Sequence, residues 1–293
     1  MADLAAAGRR VALATCAELP EGDEDAAAVE AALRERGIEG MAAVWSSSEV
    51  DWAVFDLVVL RSTWDYAERY DDFLAWIDAL PQLANPARVV RWSTDKRYLG
   101  ELAAAGVPVT PTQYVEPGER FDALPGRFVV KPVVSAGGRR SASYRPERAE
   151  EAAAHVRALH AEGRAAMVQP YLAGIDTEGE TGLVYLGGRY SHAFRKGSLL
   201  AEGAGPGTGL FLEEEIEPRR PSPAEHAAAD AALAALPFPA SELLYARVDV
   251  APGTDGRPLV LEIELAEPSL YLWCEPAATD RFATAVAAWL DRS

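Results

Sequence analysis

The N-terminal part of the chain alternates between continuous apolar runs and helical apolar stripes. Residues 10–15 and 54–60 form apolar runs that predict buried strands. Between them, Val29 and Leu33 repeat at i, i+4 and Gly37 follows, which predicts an amphipathic helix that ends at the glycine. A strand, a helix and a second strand at this spacing favour a parallel sheet. We therefore expect ligand-binding groups at the carboxyl ends of these strands.

The next elements lead towards the middle of the chain. Residues 70–80 carry apolar side chains on one helical stripe, residues 88–92 predict a short strand, and Ser93 or Thr94 caps the helix that follows. Lys96 then falls in the first turn of that helix, where a positive charge opposes the helix dipole. This placement leads us to expect an anionic ligand near that helix end.

The middle of the chain has a strand-rich pattern. Residues 128–132 predict a strand that carries Lys131 near its end, and the loop that follows contains Ser135, Gly137 and Gly138. Glycines beside a serine let backbone N–H groups approach phosphate oxygens, and a lysine adds a point charge. A hairpin turn through the two glycines is the alternative explanation. The same module contains a predicted helix and a predicted strand, over residues 146–159 and 166–172.

Hairpin and loop signals dominate the last third of the chain. Predicted elements are a hairpin over 181–196, a mobile glycine-rich loop over 201–209, helices over 223–236 and 280–290, and strands over 244–250 and 259–268. The last two strands are joined by the turn-rich sequence Ala-Pro-Gly-Thr-Asp-Gly-Arg-Pro, which favours antiparallel pairing.

Charged residues alternate along these two C-terminal strands. Because side chains alternate faces along a strand, Arg247 shares a face with Asp249, and Glu262 shares a face with Glu264. Antiparallel pairing brings all four groups to one surface. Carboxylate oxygens suit a hard divalent cation such as Mg²⁺, which cancels their mutual repulsion. Judged from this pair of strands alone, a solvated sheet face explains the pattern equally well.

Composition narrows the class of protein. The chain has 293 residues, of which 49% are hydrophobic, enough for a core divided among two or three sub-domains. Its net charge of −17 excludes a general nucleic-acid binder, because no basic field is available to neutralise phosphates. Cys16 and Cys274 are too few for a disulfide framework or a zinc site, and no signal-like or membrane-spanning apolar run is present. We expect a cytoplasmic protein that binds small molecules, without a nucleic-acid or membrane partner.

The order of these motifs resembles the ATP-grasp superfamily. It runs from Lys96 through Lys131 and its small-residue loop to the strands Ala-Arg-Val-Asp and Leu-Glu-Ile-Glu. The resemblance extends from about Asp95 to the end, and the preceding region is similar to the pre-ATP-grasp domain of the superfamily. It implies an α/β (α+β) fold that holds a nucleotide between sub-domains. The implied divisions are a parallel-sheet N-terminal domain (1–94), a small central lid sub-domain (95–172) and a C-terminal antiparallel-sheet sub-domain (173–293).

The resemblance also implies a role for each matching position. The implied phosphate contacts are Lys96, Lys131 and the loop of Ser135, Gly137 and Gly138, and those of the γ-phosphate or an acyl phosphate are Lys196 and Arg247. Adenine would contact Gln169, Tyr171 and Leu172, and ribose would contact Asp176 or Glu180. The implied metal ligands are Asp249, Glu262 and Glu264. The implied cofactors are ATP and two Mg²⁺ ions, with Mn²⁺ as a substitute. Two positions depart from the usual pattern, since Glu264 replaces an asparagine and Gln169 replaces a glutamate.

Within the superfamily, four segments resemble a glutathione-synthetase-like branch whose members include O-ureidoserine cyclo-ligases. These segments are residues 61–66, 92–99, 190–196 and 267–272. The resemblance implies an ATP-dependent carboxylate–amine ligase, amide-forming or cyclising, that acts through an acyl phosphate on an amino-acid-like substrate. The alternative is a nucleotide-binding regulatory or scaffolding protein that retains the cleft without turnover. A homodimer is a further expectation.

Two polar clusters that follow strand ends are candidates for binding the amino-acid substrate. They are Ser62, Thr63, Asp65 and Tyr66 in the N-terminal domain, and Glu267, Ser269 and Tyr271 after the last strand. Carboxylates and hydroxyls of this kind suit an ammonium group. We expect Asp65 or Glu267 to hold the amine while the substrate carboxylate lies near Arg247. The alternative is that Trp64 and Tyr66 only pack a sub-domain interface.

Overall fold

The structure of the protein is a computed structural model that describes residues 8–198, 200, 209–210 and 214–292. In these residues, three β-sheets follow one another along the chain. The expected α/β fold, with a parallel N-terminal sheet and an antiparallel C-terminal sheet, is confirmed. No helix in this part of the chain combines the length and apolarity that crossing a membrane requires. The mobile loop that the sequence predicts over 201–209 lies almost entirely outside the described residues.

The N-terminal sheet is parallel, in the strand order β2-β1-β3-β4. Its described strands are β1 (Arg9–Thr15), β2 (Ile38–Val44), β3 (Leu57–Ser62) and β4 (Leu83–Ala84). The helices of this region are α1 (Ala26–Arg34), α2 (Tyr70–Asp78), α3 (Ala87–Thr94) and α4 (Tyr98–Ala104). Strand β1 and helices α1 and α2 confirm their predictions. Val29 and Leu33 of α1 are fully buried in a core shared with β1 and β3.

Strand β2 is missing from the sequence-based prediction. Its sequence, Ile-Glu-Gly-Met-Ala-Ala-Val, is rich in small residues, and only Ile38 and Ala43 are buried. Residue preferences for an edge strand of this kind are weak, and pairing with β1 determines its conformation. The second predicted strand also starts later than expected, at Leu57, because Asp51 caps a short 3₁₀ turn over Trp52–Val54.

Residues 88–92, which the sequence predicts as a strand, belong to helix α3. Pro86 precedes the helix with an extended backbone, and the buried residues of α3 repeat at helical spacing. They are Val89, Val90, Ser93 and Thr94. Adjacent valines favour a strand locally, but packing of this stripe overrides that preference. Ser93 and Thr94 therefore end α3 instead of capping the next helix, and Lys96 lies in the turn between α3 and α4.

The central sheet is antiparallel, in the strand order β5-β8-β6-β7. Its described strands are β5 (Gln113–Val115), β6 (Phe128–Pro132), β7 (Ala142–Tyr144) and β8 (Ala166–Pro170), and helix α5 (Ala149–Ala161) packs against it. Phe128, Val130, Val156 and Leu159 form part of the core between this sheet and α5. The predictions of β6, β8 and α5 are confirmed, whereas β5 and β7 are too short to give a periodic signal.

The C-terminal sheet is antiparallel, in the strand order β11-β10-β9-β12-β13. The described elements are α6 (Ile175–Glu178), β9 (Glu180–Leu186), β10 (Arg189–Lys196), β11 (Ile216–Pro218), α7 (Pro223–Ala234), β12 (Tyr245–Pro252), β13 (Pro258–Glu264) and α8 (Ala278–Leu290). The predicted hairpin is confirmed and turns at Gly187 and Gly188, both at positive φ. Phe282 and Val286 of α8 pack with α1, so this helix joins the C-terminal sheet to the N-terminal domain.

Candidate active site

A cavity of about 580 Å³ is lined by side chains from all three sheets and their loops. Lys131 and Gln169 enter it from the central sheet, and Lys196 and Arg247 enter it from the C-terminal sheet. The loop that follows β1 contributes Asp23. Charged residues that are far apart in sequence therefore share one enclosed space.

The pairing of β12 with β13 builds the acidic wall of this cavity. The antiparallel register places Arg247 opposite Glu264 and Asp249 opposite Glu262, as the alternation of charges predicts. One carboxylate oxygen from each of the three acids lies within 4.8 Å of the others. This arrangement matches an oxygen-ligand site for a hard divalent cation.

Asp249 is fully buried and anchors two cations. Its Oδ1 and Oδ2 accept hydrogen bonds from Arg247 Nε and Nη2, both at 2.9 Å, and Lys196 Nζ donates to Oδ2 at 2.8 Å. Arg247 also donates to Glu264 and, at 2.9 Å, to the carbonyl of Ser269. A bidentate guanidinium–carboxylate pair fixes orientation as well as charge. Arg247 is consequently held rigidly at the cavity wall.

Electrostatic coupling keeps Lys196 charged although it is buried. Burial alone lowers the pKa of a lysine, but the nearby carboxylates of Asp249, Glu180 and Glu214 outweigh burial and raise the pKa of Lys196 well above its ordinary value. The Nζ atom of Lys196 lies 3.2 Å from Glu180 Oε2 and 3.9 Å from Glu214 Oε1. Glu214 follows the glycine-rich segment, and no sequence pattern marks it as part of the site.

The charged neighbours that dominate the pKa of Glu262 are positive. Burial by itself raises its pKa, but the positive charges of Lys96, Lys131 and Lys196 outweigh burial and bring the pKa of Glu262 below its usual range. Lys96 Nζ lies 3.7 Å from Glu262 Oε2. Glu262 is therefore ionised at neutral pH and available as a ligand.

The glycine loop follows β6 and lies beside two lysines. Lys96 Nζ donates to the carbonyl of Ser135 at 2.8 Å, which connects the turn before α4 to this loop. Gly137 and Gly138 both have positive φ, a conformation that side chains disfavour. Burial lowers the pKa of Lys131, and Glu262 offsets only part of that effect. In the described part of the chain Lys131 forms no ion pair, so its ammonium is free to meet an anionic ligand.

Of the residues predicted to contact adenine and ribose, all but Asp176 line the cavity. Gln169, Tyr171 and Leu172 line the cavity, and Gln169 donates to Thr112 at 2.8 Å. Glu180 also lines the cavity, where it pairs with Lys196. Asp176 is absent from the lining and instead accepts hydrogen bonds from Tyr171 and Ser198.

Only some residues of the two predicted substrate clusters line the cavity. Tyr66, Glu267, Ser269 and Tyr271 line the cavity with Trp64. The structure does not bring Ser62, Thr63 or Asp65 to it. Ser62 bonds to Thr15 within the parallel sheet at 2.7 Å, and Asp65 accepts from Trp45 Nε1 at 2.6 Å. Asp65 is thus engaged by the residue that follows β2, the strand that the sequence did not predict.

The sequence predicts no role for several other residues that line the cavity. The loop between β1 and α1 lines the cavity with Asp23, Glu24 and Asp25, and Trp273, which is 49% exposed, lines it beside Glu24. The acidic run is visible in the sequence, but it is also typical of a solvated helix entry. Its position directly after a strand of a parallel sheet is the signal that favours a ligand role.

Comparison with known proteins identifies close relatives. A family model described as the N-terminal domain of D-cycloserine synthetase DcsG matches residues 11–89. The cycloserine biosynthesis protein DcsG of Streptomyces lavendulae is 40% identical over 278 residues, which cover 87% of this chain and 90% of that protein. The crystal structure of D-cycloserine synthetase DcsG matches with a TM-score of 0.87 at 38% identity and covers 96% of this chain and 99% of that chain.

More distant structures share the fold. D-alanine–D-alanine ligase from Bacillus anthracis, solved with ATP, matches with a TM-score of 0.66 at 16% identity and covers 97% of this chain and 98% of that chain. The ATP-grasp ligase PsnB, solved with its minimal precursor, matches with a TM-score of 0.61 at 19% identity, over 96% of this chain and 99% of that chain. On the strength of the 40% identical relative, this chain belongs to the DcsG family of ATP-grasp enzymes and is an ATP-dependent ligase.

Proposed function

We propose that the protein joins a carboxylate to a nitrogen nucleophile through an acyl phosphate. One observation carries the proposal, namely the convergence of four cations and two carboxylates in one cavity, with a third, fully buried carboxylate beside them. Those that line the cavity are Lys96, Lys131, Lys196, Arg247, Glu262 and Glu264, and the buried acid is Asp249. The substrate carboxylate attacks the γ-phosphorus of ATP and ADP leaves; the nitrogen then attacks the acyl carbon and phosphate leaves. Cations around the transferred group stabilise the charge that spreads over its oxygens.

Each side chain has a distinct part in this proposal. Lys131 and the N–H groups of the glycine loop hold the nucleotide phosphates, with Lys96 fixing the loop through Ser135. Arg247 faces the acyl phosphate, in the orientation that Asp249 imposes. Glu180 is the better ribose candidate than Asp176, because only Glu180 lines the cavity.

The carboxylate oxygens of this site suit magnesium, and we propose that the site binds two Mg²⁺ ions. We also propose that Mn²⁺ can replace Mg²⁺. Both oxygens of Asp249 already accept hydrogen bonds from Arg247 and Lys196, so Glu262 and Glu264 are the more available ligands. Bound at these acids, the metal supplies positive charge to the phosphate oxygens. Because Lys196 and Arg247 both donate to Asp249 Oδ2, that oxygen would be a weaker ligand than those of Glu262 and Glu264.

O-ureido-D-serine is the substrate we propose, because the motifs resemble O-ureidoserine cyclo-ligases and the matches named DcsG carry cycloserine formation in their names. In this substrate the carboxylate and the nucleophilic nitrogen belong to one molecule. The nitrogen bonded to oxygen loses its proton and attacks the acyl carbon, which closes a ring and releases phosphate. The ring nitrogen then still carries the carbamoyl group, and cleavage of that group by water gives cycloserine, carbon dioxide and ammonia. Glu267 and Ser269, at the cavity wall near Arg247, are proposed substrate contacts.

The test is ADP release by the purified protein with ATP, magnesium and O-ureido-D-serine. Serine, D-alanine and pairs of amino acids serve as competing substrates, and mass spectrometry identifies the product. We expect turnover with a cyclic product. ATP binding without turnover of any carboxylate would favour the regulatory alternative, which the relatives do not support. Linear products from pairs of amino acids would replace cyclisation with intermolecular ligation.

Two further expectations accompany the proposal. We propose that the protein works in the cytoplasm, where ATP is abundant, and that it forms a homodimer. Light scattering coupled to gel filtration tests the dimer, and a monomeric mass at micromolar concentration contradicts it.

A further inference from the structure

An acidic cluster of Asp23, Glu24 and Asp25, in the loop between β1 and α1, also lines the cavity. Arg61, at 3% exposure, pairs with Asp23 Oδ2 at 2.7 Å and with Asp25 Oδ2 at 3.5 Å. The ring of Phe282 lies under the Arg61 guanidinium, 5.3 Å from its carbon, and fixes its position. One guanidinium thus serves two carboxylates, and the exposed Glu24 adds a third in the same cluster. This cluster carries an excess of negative charge.

Asp23 has one carboxylate oxygen without a partner. Its side chain is 4% exposed, its Oδ2 pairs with Arg61, and its buried Oδ1 has no hydrogen-bond partner among the described residues. By contrast, Asp25 Oδ2 also accepts the backbone N–H of Leu272 at 3.1 Å. Buried polar atoms without partners are rare in proteins and costly, so each one requires an explanation. Because Asp23 lines the cavity, a donor group on a bound ligand supplies that explanation.

The segment from Ser269 to Leu272 connects the cluster of Asp23, Glu24 and Asp25 to Arg247. Arg247 donates to the carbonyl of Ser269, and Asp25 accepts from the N–H of Leu272. Three residues of chain span at most about 10 Å when fully extended. Tyr271 has a φ of 45°, so this segment is bent and shorter than that limit. The Ser269 carbonyl bound by Arg247 and the Leu272 N–H bound by Asp25 are therefore less than about 10 Å apart, a gap that a small zwitterion with a hydrogen bond at each end can bridge.

We propose that Asp23 binds the ammonium group of the amino-acid substrate and thereby makes the enzyme selective for acids that carry an amine. This inference rests on the proposed function and deepens it. Arg61 orients Asp23 through Oδ2 and leaves Oδ1 for the ligand. The sequence suggested Asp65 or Glu267 for this role. Asp65 is bonded to Trp45 outside the cavity. Glu267 lines the cavity, but among the described residues it has no unpartnered buried oxygen of the kind that Asp23 has.

The decisive measurement compares O-ureido-D-serine with the same molecule lacking its amine. The ratio of kcat/KM for the two compounds does not depend on the fraction of active enzyme, so partial misfolding leaves it unchanged. Loss of a charge-assisted hydrogen bond is expected to raise KM for O-ureido-D-serine by about 10- to 100-fold in Asp23→Asn. The preference over the des-amino acid should fall by a similar factor, with KM for ATP unchanged. Asp72→Asn, at an exposed site on α2, is the matched charge control.

Several outcomes overturn the inference. An unchanged ratio in Asp23→Asn does so, and so does a collapse of the ratio in Asp65→Asn instead. If Asp23→Asn does not fold, Asp23→Glu is used, and retention of amine selectivity with a raised KM supports the role of the carboxylate. Calorimetric binding of both compounds separates this inference from the proposed function. Amine-dependent binding that Asp23→Asn abolishes, without turnover by the wild type, refutes the function and supports the inference.

Discussion

Glu267 offers a test of the buried electrostatics that is independent of turnover. Its side chain lies at the cavity wall with 8% exposure, and burial raises its pKa from 4.5 to about 7. Lys96 opposes this shift without cancelling it. At about 1.4 kcal/mol per pKa unit, the displacement corresponds to about 3 kcal/mol.

The direction of the effect follows from proton binding. Between about pH 4.5 and 7 the folded protein keeps the Glu267 proton that the unfolded chain has released. Folding stability contributed by the protonated carboxyl is therefore complete below about pH 4.5 and is lost as pH rises towards 7. The glutamine of Glu267→Gln cannot ionise, so the variant lacks this loss. Relative to the wild type, it should gain about 3 kcal/mol between pH 4 and pH 8.

Thermal melting with magnesium chelated measures this difference. At about 2 to 3 °C per kcal/mol for a chain of this size, the melting temperature of the variant relative to wild type should rise by about 6 to 9 °C between pH 4 and pH 8. Glu150→Gln, on the exposed surface of α5, is the matched control and should show a flat difference. A flat difference for Glu267→Gln as well would refute the reasoning and show that Glu267 ionises at its ordinary pH in the folded protein.

Three further variants test the rest of the site. Glu262→Gln should fold normally and lose at least about 100-fold in turnover, because it removes a ligand beside the phosphates; near-normal rates at limiting magnesium would contradict this. Lys131→Met should weaken ATP binding by about 10- to 100-fold in calorimetry, and unchanged affinity would move the phosphate site elsewhere. Glu68→Gln should raise KM for ATP about three- to tenfold, since Glu68 pairs with Arg139 and Arg140 of the glycine loop.

The control for Glu68→Gln is Glu162→Gln. Glu162 pairs with Arg140 and Arg164 from within the central module, whereas Glu68 reaches them from the N-terminal domain. A smaller effect of Glu162→Gln would show that the contact between domains, and not charge neutralisation, positions the loop. Equal effects of the two variants would contradict that role for Glu68.

The sequence predicts the cluster of charged residues on β12 and β13 well, because the alternation of side chains along a strand is a local property. A period of two and one turn-rich connector are sufficient to bring Arg247, Asp249, Glu262 and Glu264 together. No long-range information is needed for this placement. Lys96 and Lys131 are predicted from their places at an expected helix start and beside the glycine loop, and Lys196 from the order of motifs that resembles ATP-grasp enzymes.

The substrate side depends on contacts that no local pattern contains. Asp65 faces away from the cavity because Trp45 binds it, and Trp45 directly follows β2. Strand β2 is rich in alanine and glycine, and its pairing with β1, not its residue preference, forms it. The hydrogen bond that keeps Asp65 out of the cavity therefore depends on a strand that the sequence does not predict, whereas Glu267, the other residue expected to hold the amine, does line the cavity.

Lys131 and Lys196, two of the three described lysines that line the cavity, differ in what ATP binding must disrupt. Lys196 is held by Asp249 at 2.8 Å and by Glu180 at 3.2 Å, so contact with a phosphate requires it to exchange one charged partner for another. Lys131 forms no ion pair in the described residues, and burial lowers its pKa. A phosphate that approaches Lys131 therefore restores the stability of its charged form without breaking an existing pair. We therefore expect Lys131 to contribute mainly to nucleotide affinity, and Lys196, whose positive charge is already balanced by carboxylates, to contribute when negative charge is redistributed during phosphoryl transfer.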